Sequence, residues 1–293
     1  MFHKHAALAL IATAVATVLS ACGAEPARSA ATEDAAAEAQ VVKTDLYSKV
    51  LKAHVGPKGF VNYAGLKANR QPLDDYIASL GQLDPKRFQA WDQKKQIALL
   101  INAYNAMTLK AIIDHYPIES SFFANLKGYE LGIRHISGVW DELTFPLMGR
   151  SVTLDQIEHK MLRARYNEPR IHMAINCASI GCPPLLDEPY TGKKLNEQFK
   201  SQTRRFLANP SKFRIDRQSA QVYLSPIFKW FGEDFVKSYL PEEGYGSHGK
   251  ELRAVLNFIA GHLDDSDAAY LRKGDYELEW LDYDWGLNEQ PKK

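Results

Sequence analysis

Apolar residues recur along the chain mainly at the spacing of α-helices. The strongest signal lies in WDQKKQIALLINAYNAMTLKAIIDHY, which Pro117 follows, so we expect this helix to end before that proline. Its apolar face carries Ile97, Ile101, Tyr104, Thr108 and Ile112. Further amphipathic helices are predicted for DLYSKVLKAHV, QPLDDYIASLGQL, SPIFKWFGEDFVKSYL and ELRAVLNFIAGHL.

Strand patterns are fewer and shorter. In KFRIDRQSAQVYLS, alternation predicts a hairpin with Phe213, Ile215, Val222 and Leu224 on one face. Alternation also predicts a strand from Arg170 to Asn176, and YELEWLDYDWGLN reads as a strand-like closing segment. The expected fold class is therefore α+β: a helix-rich single domain with a small, mainly antiparallel sheet.

The N-terminus predicts export and lipid anchoring. A basic Lys4, an apolar run and small residues precede Cys22, the order of a secretory signal peptide over residues 1–21. Leu19-Ser20-Ala21-Cys22 resembles a bacterial lipobox, which implies acylation of Cys22, palmitate included, and so membrane attachment through this residue. Gly23 in the next position favours the outer membrane, facing the periplasm. Residues 22–44 are rich in Ala and Glu and predict a flexible tether to one domain over 45–288.

Charge and motif content exclude several function classes. The chain has 36 Lys and Arg against 35 Asp and Glu, without a polybasic block, which argues against nucleic-acid binding. It has no glycine-rich phosphate loop, no serine elbow and no dinucleotide fingerprint, so no cofactor is predicted. The protein or small-molecule partner is open at this point.

Five segments carry a resemblance to a known family. INAYNAMTL, LDQIEHKMLR, PRIHMAINCASIGCPPL, LSPIFKWFGEDF and LDYDWGLN follow in this order, as in the bacterial and plant family called domain of unknown function 547. The family is known as a sequence pattern without an established reaction, so the resemblance implies which residues matter but no chemistry. It marks Asn102, Tyr104, Asn105, Glu158, His159, Arg163, His172, Asn176, Cys177, Ser179, Cys182 and Pro183.

Cys177 has three candidate roles. As a nucleophile it would follow a strand and precede a Ser-Gly turn, where backbone N–H groups lower a thiol pKa. As half of a disulfide it would pair with Cys182, because acylation of Cys22 leaves an even pair of thiols in an oxidising compartment. As a zinc ligand it would join Cys182, His159 and His172, but no ligand spacing supports that set, and no metal is predicted.

A catalytic Cys177 needs a base. On an extended strand, His172 would lie on the order of 16 Å from Cys177, too far for proton transfer. His159 is therefore the predicted base, on a helix that Thr153 and Gln156 cap in TLDQIEHKMLRARY. Asn102, Asn176 and Glu158 are candidate orienters, although adjacent helical positions make Glu158 a poor partner for His159.

The remaining polar motif residues favour structural roles. Asn102 and Asn105 lie three positions apart on an apolar helix, where a buried amide most often holds a neighbouring backbone. Glu158 and Arg163 predict ion pairs, and Trp230, Phe231 and Phe235 are assigned to the core. Two functions remain: a cysteine-dependent hydrolase or acyl transferase of the envelope, and a non-catalytic lipoprotein that binds a ligand or partner and carries a Cys177–Cys182 disulfide.

Overall fold

Helices make up most of the structure, a computed structural model that describes residues 42–119 and 130–291. Every described residue belongs to one compact unit, Ala39–Lys293. The predicted signal peptide, Cys22 and residues 22–41 of the predicted tether lie outside the described residues, so these expectations stay predictions.

The α-helices are α1 Thr44–His54, α2 Tyr63–Ala68, α3 Gln71–Gln82, α4 Pro85–Gln89, α5 Gln93–Asp114, α6 Leu195–Leu207, α7 Pro226–Trp230, α8 Gly232–Tyr239, α9 Lys250–Ala260 and α10 Asp265–Lys273. The strands are β1 Phe145–Leu147, β2 Arg150–Val152, β3 Phe213–Asp216, β4 Gln221–Leu224 and β5 Glu277–Trp280. A π-helix spans Gln156–Arg163, and 3₁₀ helices span Ile133–His135 and Pro169–Met173.

The central element is α5. Asp92 caps its start by accepting the Lys95 N–H at 3.0 Å, and every residue from Ile97 to Ile113 except Lys110 is buried. The predicted single apolar face was therefore too narrow, because other elements cover the helix on all sides. Its length and composition would also suit a membrane span, but 89% of its apolar window is buried inside the protein, as in a core helix.

The predicted fold class is confirmed. β1 and β2 form one antiparallel pair; β3 and β4 form another, in which Phe213 lies opposite Leu224 and Ile215 opposite Val222. The predicted hairpin is thus confirmed, and β5 pairs with β4 in parallel. The segment predicted as one late helix is two, α7 and α8, because Phe231 leaves helical geometry between them.

The predicted strand from Arg170 to Asn176 is wrong. Pro169–Met173 forms a 3₁₀ helix, which the proline starts easily because its ring fixes φ in the helical range. The side chain of Asn105 then forms the hydrogen bonds that a neighbouring strand would otherwise form with Ala174 and Asn176. Ile171 packs in the core cluster around α5, whereas Met173 packs in the cluster around α9. This segment therefore joins the two cores.

Candidate functional site

A cavity of about 210 Å³ lies where the two core clusters meet. Both cysteines of the described chain, Cys177 and Cys182, line it. Both thiols are free in the structure; Cys177 is half-buried and Cys182 is buried. Thiols in a partly enclosed cavity can meet a small ligand away from bulk water, which is the setting of a reactive site.

Hydrogen-bond donors converge on the sulfur of Cys182. The Cys177 N–H donates to it at 3.0 Å, the Tyr283 hydroxyl at 3.1 Å and the Ser179 hydroxyl at 3.5 Å. Burial raises the pKa of Cys182, but these donors and the Cys177 thiol outweigh burial and lower this pKa to about 6. The bond to Cys182, together with burial, raises the pKa of Cys177. The pair therefore favours one thiolate, on Cys182, and one thiol, on Cys177.

Asparagine side chains hold the loop that carries the thiols. Asn176 accepts the Ala178 N–H at 2.8 Å and donates to the Pro183 carbonyl at 2.7 Å, so one amide closes the loop. Asn105 on α5 accepts the Asn176 N–H at 2.8 Å and donates to the Ala174 carbonyl at 3.0 Å. Ala178 is left with a positive φ of 61°, a conformation that costs a non-glycine residue on the order of 1 kcal/mol. Asn105 therefore has the structural role predicted for it. The Asn176 side chain likewise binds backbone groups of the cysteine loop.

Asn102 lies outside this cavity. Its amide donates to the Tyr190 carbonyl and accepts the Tyr190 N–H, both at 2.9 Å. Such a two-way bond to a backbone position uses both ends of the side chain. We therefore assign Asn102 to holding residue 190 rather than to orienting a catalytic group.

The C-terminal segment completes the site. Gly181 donates its N–H to the Asp284 carbonyl at 2.7 Å, which lays residues 283–286 along the cysteine loop. A Cβ at Gly181 would lie 2.5 Å from the Tyr283 ring, so only glycine allows this approach. The sequence identified LDYDWGLN as a motif but did not predict Tyr283 as a site residue. The feature that could have indicated it is a tyrosine in a polar, aromatic-rich segment near the C-terminus.

Aromatic rings form one wall of the cavity. Tyr283 packs against Trp285 at 4.6 Å between ring centroids and against Trp230 at 4.9 Å. Trp140 meets Trp285 edge-on at 6.3 Å. Trp230 is 48% exposed, so its assignment to the core was wrong: it belongs to the rim of the cavity. The wall offers a flat apolar surface to a ligand.

His159 shares the cavity with the thiols but bonds elsewhere. Its Nδ1 lies 2.8 Å from Arg163 Nη1, and its Nε2 lies 3.2 Å from Asp155. Because arginine only donates, Nδ1 must be the acceptor, so the proton of the neutral ring sits on Nε2 and faces Asp155. Within the described residues, His159 forms no hydrogen bond with the sulfur of Cys177 or of Cys182. Its predicted role as base stays a prediction, and these contacts give it no support.

The π-helix explains why Glu158 also reaches the cavity. Thr153 and Gln156 exchange two bonds of 3.2 Å, which confirms the predicted capping box. The turns that follow are wider than in an α-helix, so neighbouring side chains separate by a smaller angle, and Glu158 and His159 both line the cavity. Burial raises the pKa of Glu158, while a hydrogen bond from Tyr104 opposes that rise.

His172 also lines this cavity, and its ring is paired with Asp234, which does not line it. His172 Nε2 lies 2.7 Å from Asp234, and Arg163 binds the same carboxylate through two nitrogens at 2.6 and 2.9 Å. Burial raises the pKa of Asp234, but its bonds to His172 and Arg163 outweigh that and hold it well below the usual value. Burial lowers the pKa of His172. The ring is therefore neutral near pH 7 with its proton on Nε2.

The other nitrogen of His172 is a free acceptor. Nδ1 is buried and has no hydrogen-bond partner in the described part of the chain, and the ring stacks on Phe231 at 4.0 Å. His172 lines the cavity together with Cys177. The predicted separation of His172 from Cys177 assumed an extended strand over Arg170–Asn176. Because that strand does not form, the separation no longer argues against His172 as the base.

The four residues weighed for zinc all line the cavity, but they are not arranged to share one metal ion. His172 faces Asp234, and within residues 42–119 and 130–291 no group of three or more His, Cys, Asp or Glu side chains is placed to hold a metal ion.

Comparison with known proteins adds one match. Residues 88–207 match the model of the family described as "Protein of unknown function, DUF547", which confirms the resemblance over this part of the chain. This region contains α5, the π-helix and the cysteine loop, whereas Asp234, Tyr283 and Trp285 lie beyond it. No curated protein and no solved structure matches the chain.

Proposed function

We propose that the protein is a cysteine-dependent hydrolase or acyl transferase of the bacterial cell envelope, with Cys177 as its nucleophile. The observation that supports this most is the thiol pair itself: three donors converge on the sulfur of the buried Cys182, beside the more exposed free thiol of Cys177, in a partly enclosed cavity. A cysteine attacks as its thiolate, so Cys177 passes its proton to the adjacent Cys182 as it attacks. The aromatic wall beside the pair suits an apolar acyl group.

The pair supplies the proton transfers of acylation. The Cys177 sulfur attacks the acyl carbon while its proton passes to the Cys182 thiolate. Cys182 then gives this proton to the departing alcohol or amine, and a thioester remains on Cys177. A thiol with a pKa of about 6 is a suitable acid for this step near neutral pH.

Deacylation needs a base for water or for an acceptor. We assign it to His172, which Asp234 holds with its proton on Nε2 and its Nδ1 free. Nδ1 takes the proton of the incoming nucleophile, the thioester opens, and the proton returns to Cys177. His159 is less suited because Arg163 occupies its acceptor nitrogen.

An acyl-trapping experiment tests this assignment. The reduced, exported protein is mixed with p-nitrophenyl acetate at pH 7, quenched in acid and mapped by peptide mass spectrometry. We expect acetyl on Cys177, and acylation slower by roughly 10²-fold in Cys182→Ser, because general acid–base partners contribute at least that much. His172→Asn should accumulate acyl-protein, and Asp234→Asn should do so more weakly.

His159→Gln is the matched control, since it changes the other imidazole of the same cavity. It should leave both acylation and deacylation rates unchanged. Absence of acetyl from Cys177, or equal acylation in Cys182→Ser, would contradict the proposal. Accumulation in His159→Gln instead of His172→Asn would return the base role to His159.

The second candidate is a non-catalytic binding lipoprotein with a Cys177–Cys182 disulfide. The observation in its favour is the hydrogen bond between the two thiols, which requires their side chains to be adjacent. Under this function, thiol titration of exported protein finds no free thiol. Cys177→Ser and Cys182→Ser then lose similar stability, each within the roughly 2–5 kcal/mol of native disulfides.

A further inference from the structure

A second cavity, of about 360 Å³, also borders the cysteine loop. Cys182 and Pro183 line both this cavity and the first one, and Ser179 lines only this one. Its charged residues are Lys58, Arg205 and Lys212, and no Asp or Glu lines it. Even with Cys182 ionised, cations outnumber anions three to one. A cavity lined mainly by positive charges attracts a negatively charged ligand.

Lys212 is the most unusual of the three cations. It is only 6% exposed, and its ammonium donates to the Ile180 carbonyl at 2.6 Å. No carboxylate pairs with it among the described residues. Burial lowers its pKa, and the charges of Cys182 and Asp284 oppose this. An ammonium has three donors, so a buried one with a single neutral acceptor is poorly compensated.

Arg205 faces the same cavity from α6. Its guanidinium donates to the Gln202 side chain and to the Pro57 carbonyl, both at 2.7 Å. These partners are neutral: they fix the position of the group and leave its charge uncompensated. Asn176, Asn209 and Asn288 add amides to the lining. A fixed guanidinium, a buried ammonium and neutral amides together match the oxygens of an anionic group.

We propose that this cavity binds a small anionic molecule through a phosphate or carboxylate group held by Lys212 and Arg205. The volume exceeds what one such group needs and falls in the range of metabolite-sized sites. The bound anion would lie beside Cys182. It would therefore raise the pKa of that thiol through like-charge repulsion and slow its reactions. This inference does not depend on the proposed acyl chemistry.

Titration calorimetry of the reduced protein at pH 7.5 tests the site, with glycerol 3-phosphate and citrate as ligands and glycerol as the neutral probe. We expect binding of at least one anion, weakened by added salt, and no binding of glycerol. Arg205→Gln and Lys212→Met should each weaken binding roughly 10- to 100-fold, the range for a lost charged hydrogen bond.

Arg214→Gln is the matched control. Arg214 stacks on Tyr223 at 3.7 Å and does not line the cavity, so its loss should leave affinity unchanged. Arg205 is partly exposed, so its variant should fold even where Lys212→Met does not. No binding of either anion, or equal weakening in Arg214→Gln, overturns the proposal. The calorimetric readout is binding of the anion and not acyl transfer, so this test can fail or succeed independently of the acyl chemistry.

Discussion

The hydroxyl of Tyr283 donates a hydrogen bond to the sulfur of Cys182 at 3.1 Å. The two residues are 101 positions apart, and Tyr283 lies outside the region that matches the family. This contact joins the C-terminal segment to the cysteine loop and helps to place the thiolate on Cys182. The charge of the site therefore depends on a segment at the far end of the chain.

Tyr283→Phe should raise the pKa of Cys182 above its present value of about 6, because the thiolate loses its closest side-chain hydroxyl donor. The thiolate absorbance in the ultraviolet, followed against pH, measures this shift. Tyr223→Phe serves as the control, since the Tyr223 hydroxyl bonds to Gln221. An unchanged titration in Tyr283→Phe would mean that the hydroxyl does not act on the thiolate.

The same pKa predicts how stability depends on pH. The donors around Cys182 lower its pKa to about 6 in the folded protein, from an ordinary value of 9.0. Between these values the unfolded chain binds more protons, so the free energy of unfolding should rise from pH 6 to pH 9. Urea unfolding of reduced protein at several pH values measures this rise. The rise should be smaller in Cys182→Ser; parallel curves for the two proteins would rule out a depressed pKa at Cys182.

Asp234→Asn should lower the free energy of unfolding by about 2–4 kcal/mol, because it leaves Arg163 and the buried His172 without their shared carboxylate. Chemical denaturation at pH 7 provides the measurement. Asp267→Asn is the control: its pair with Arg217 is largely exposed, and such pairs contribute about 1 kcal/mol or less. Equal losses in the two variants would show that the Asp234 network adds nothing beyond a surface pair.

Asn105→Ala should cost about 2–4 kcal/mol of stability. It removes two hydrogen bonds and leaves the Asn176 N–H and the Ala174 carbonyl buried without partners. It should also disturb the cysteine loop, which thiol alkylation rates report. Asn69→Ala removes an exposed bond to the Gly65 carbonyl, and we expect a change under about 0.5 kcal/mol. A similarly small change in Asn105→Ala would argue that the loop does not need this clamp.

Cys22→Ser should abolish acylation and release a soluble or unprocessed protein, because the Leu-Ser-Ala-Cys sequence predicts lipid attachment at this thiol. Membrane fractionation and metabolic palmitate labelling provide the readout. If the variant remained labelled and membrane-bound, the anchor would lie elsewhere.

The sequence by itself determined the elements whose signals are local. The apolar repeat of α5, the alternation in β3 and β4 and the Thr153–Gln156 cap all arise between residues a few positions apart, and the structure contains each of them. The buried amide of Asn105 was also predictable, because an asparagine in an apolar helix must find a backbone partner.

Only the tertiary structure decided the chemistry of the site. The segment around His172 alternates like a strand but forms a 3₁₀ helix, and Asn105 from another element binds the backbone of Ala174 and Asn176 that follows it. Tyr283 and Asp234 reach Cys182 and His172 across 101 and 62 positions. A thiol or imidazole takes its pKa from burial and from the donors and charges around it. Those neighbours come together only when the chain closes, so no local pattern could assign the thiolate to Cys182 or a free acceptor to His172.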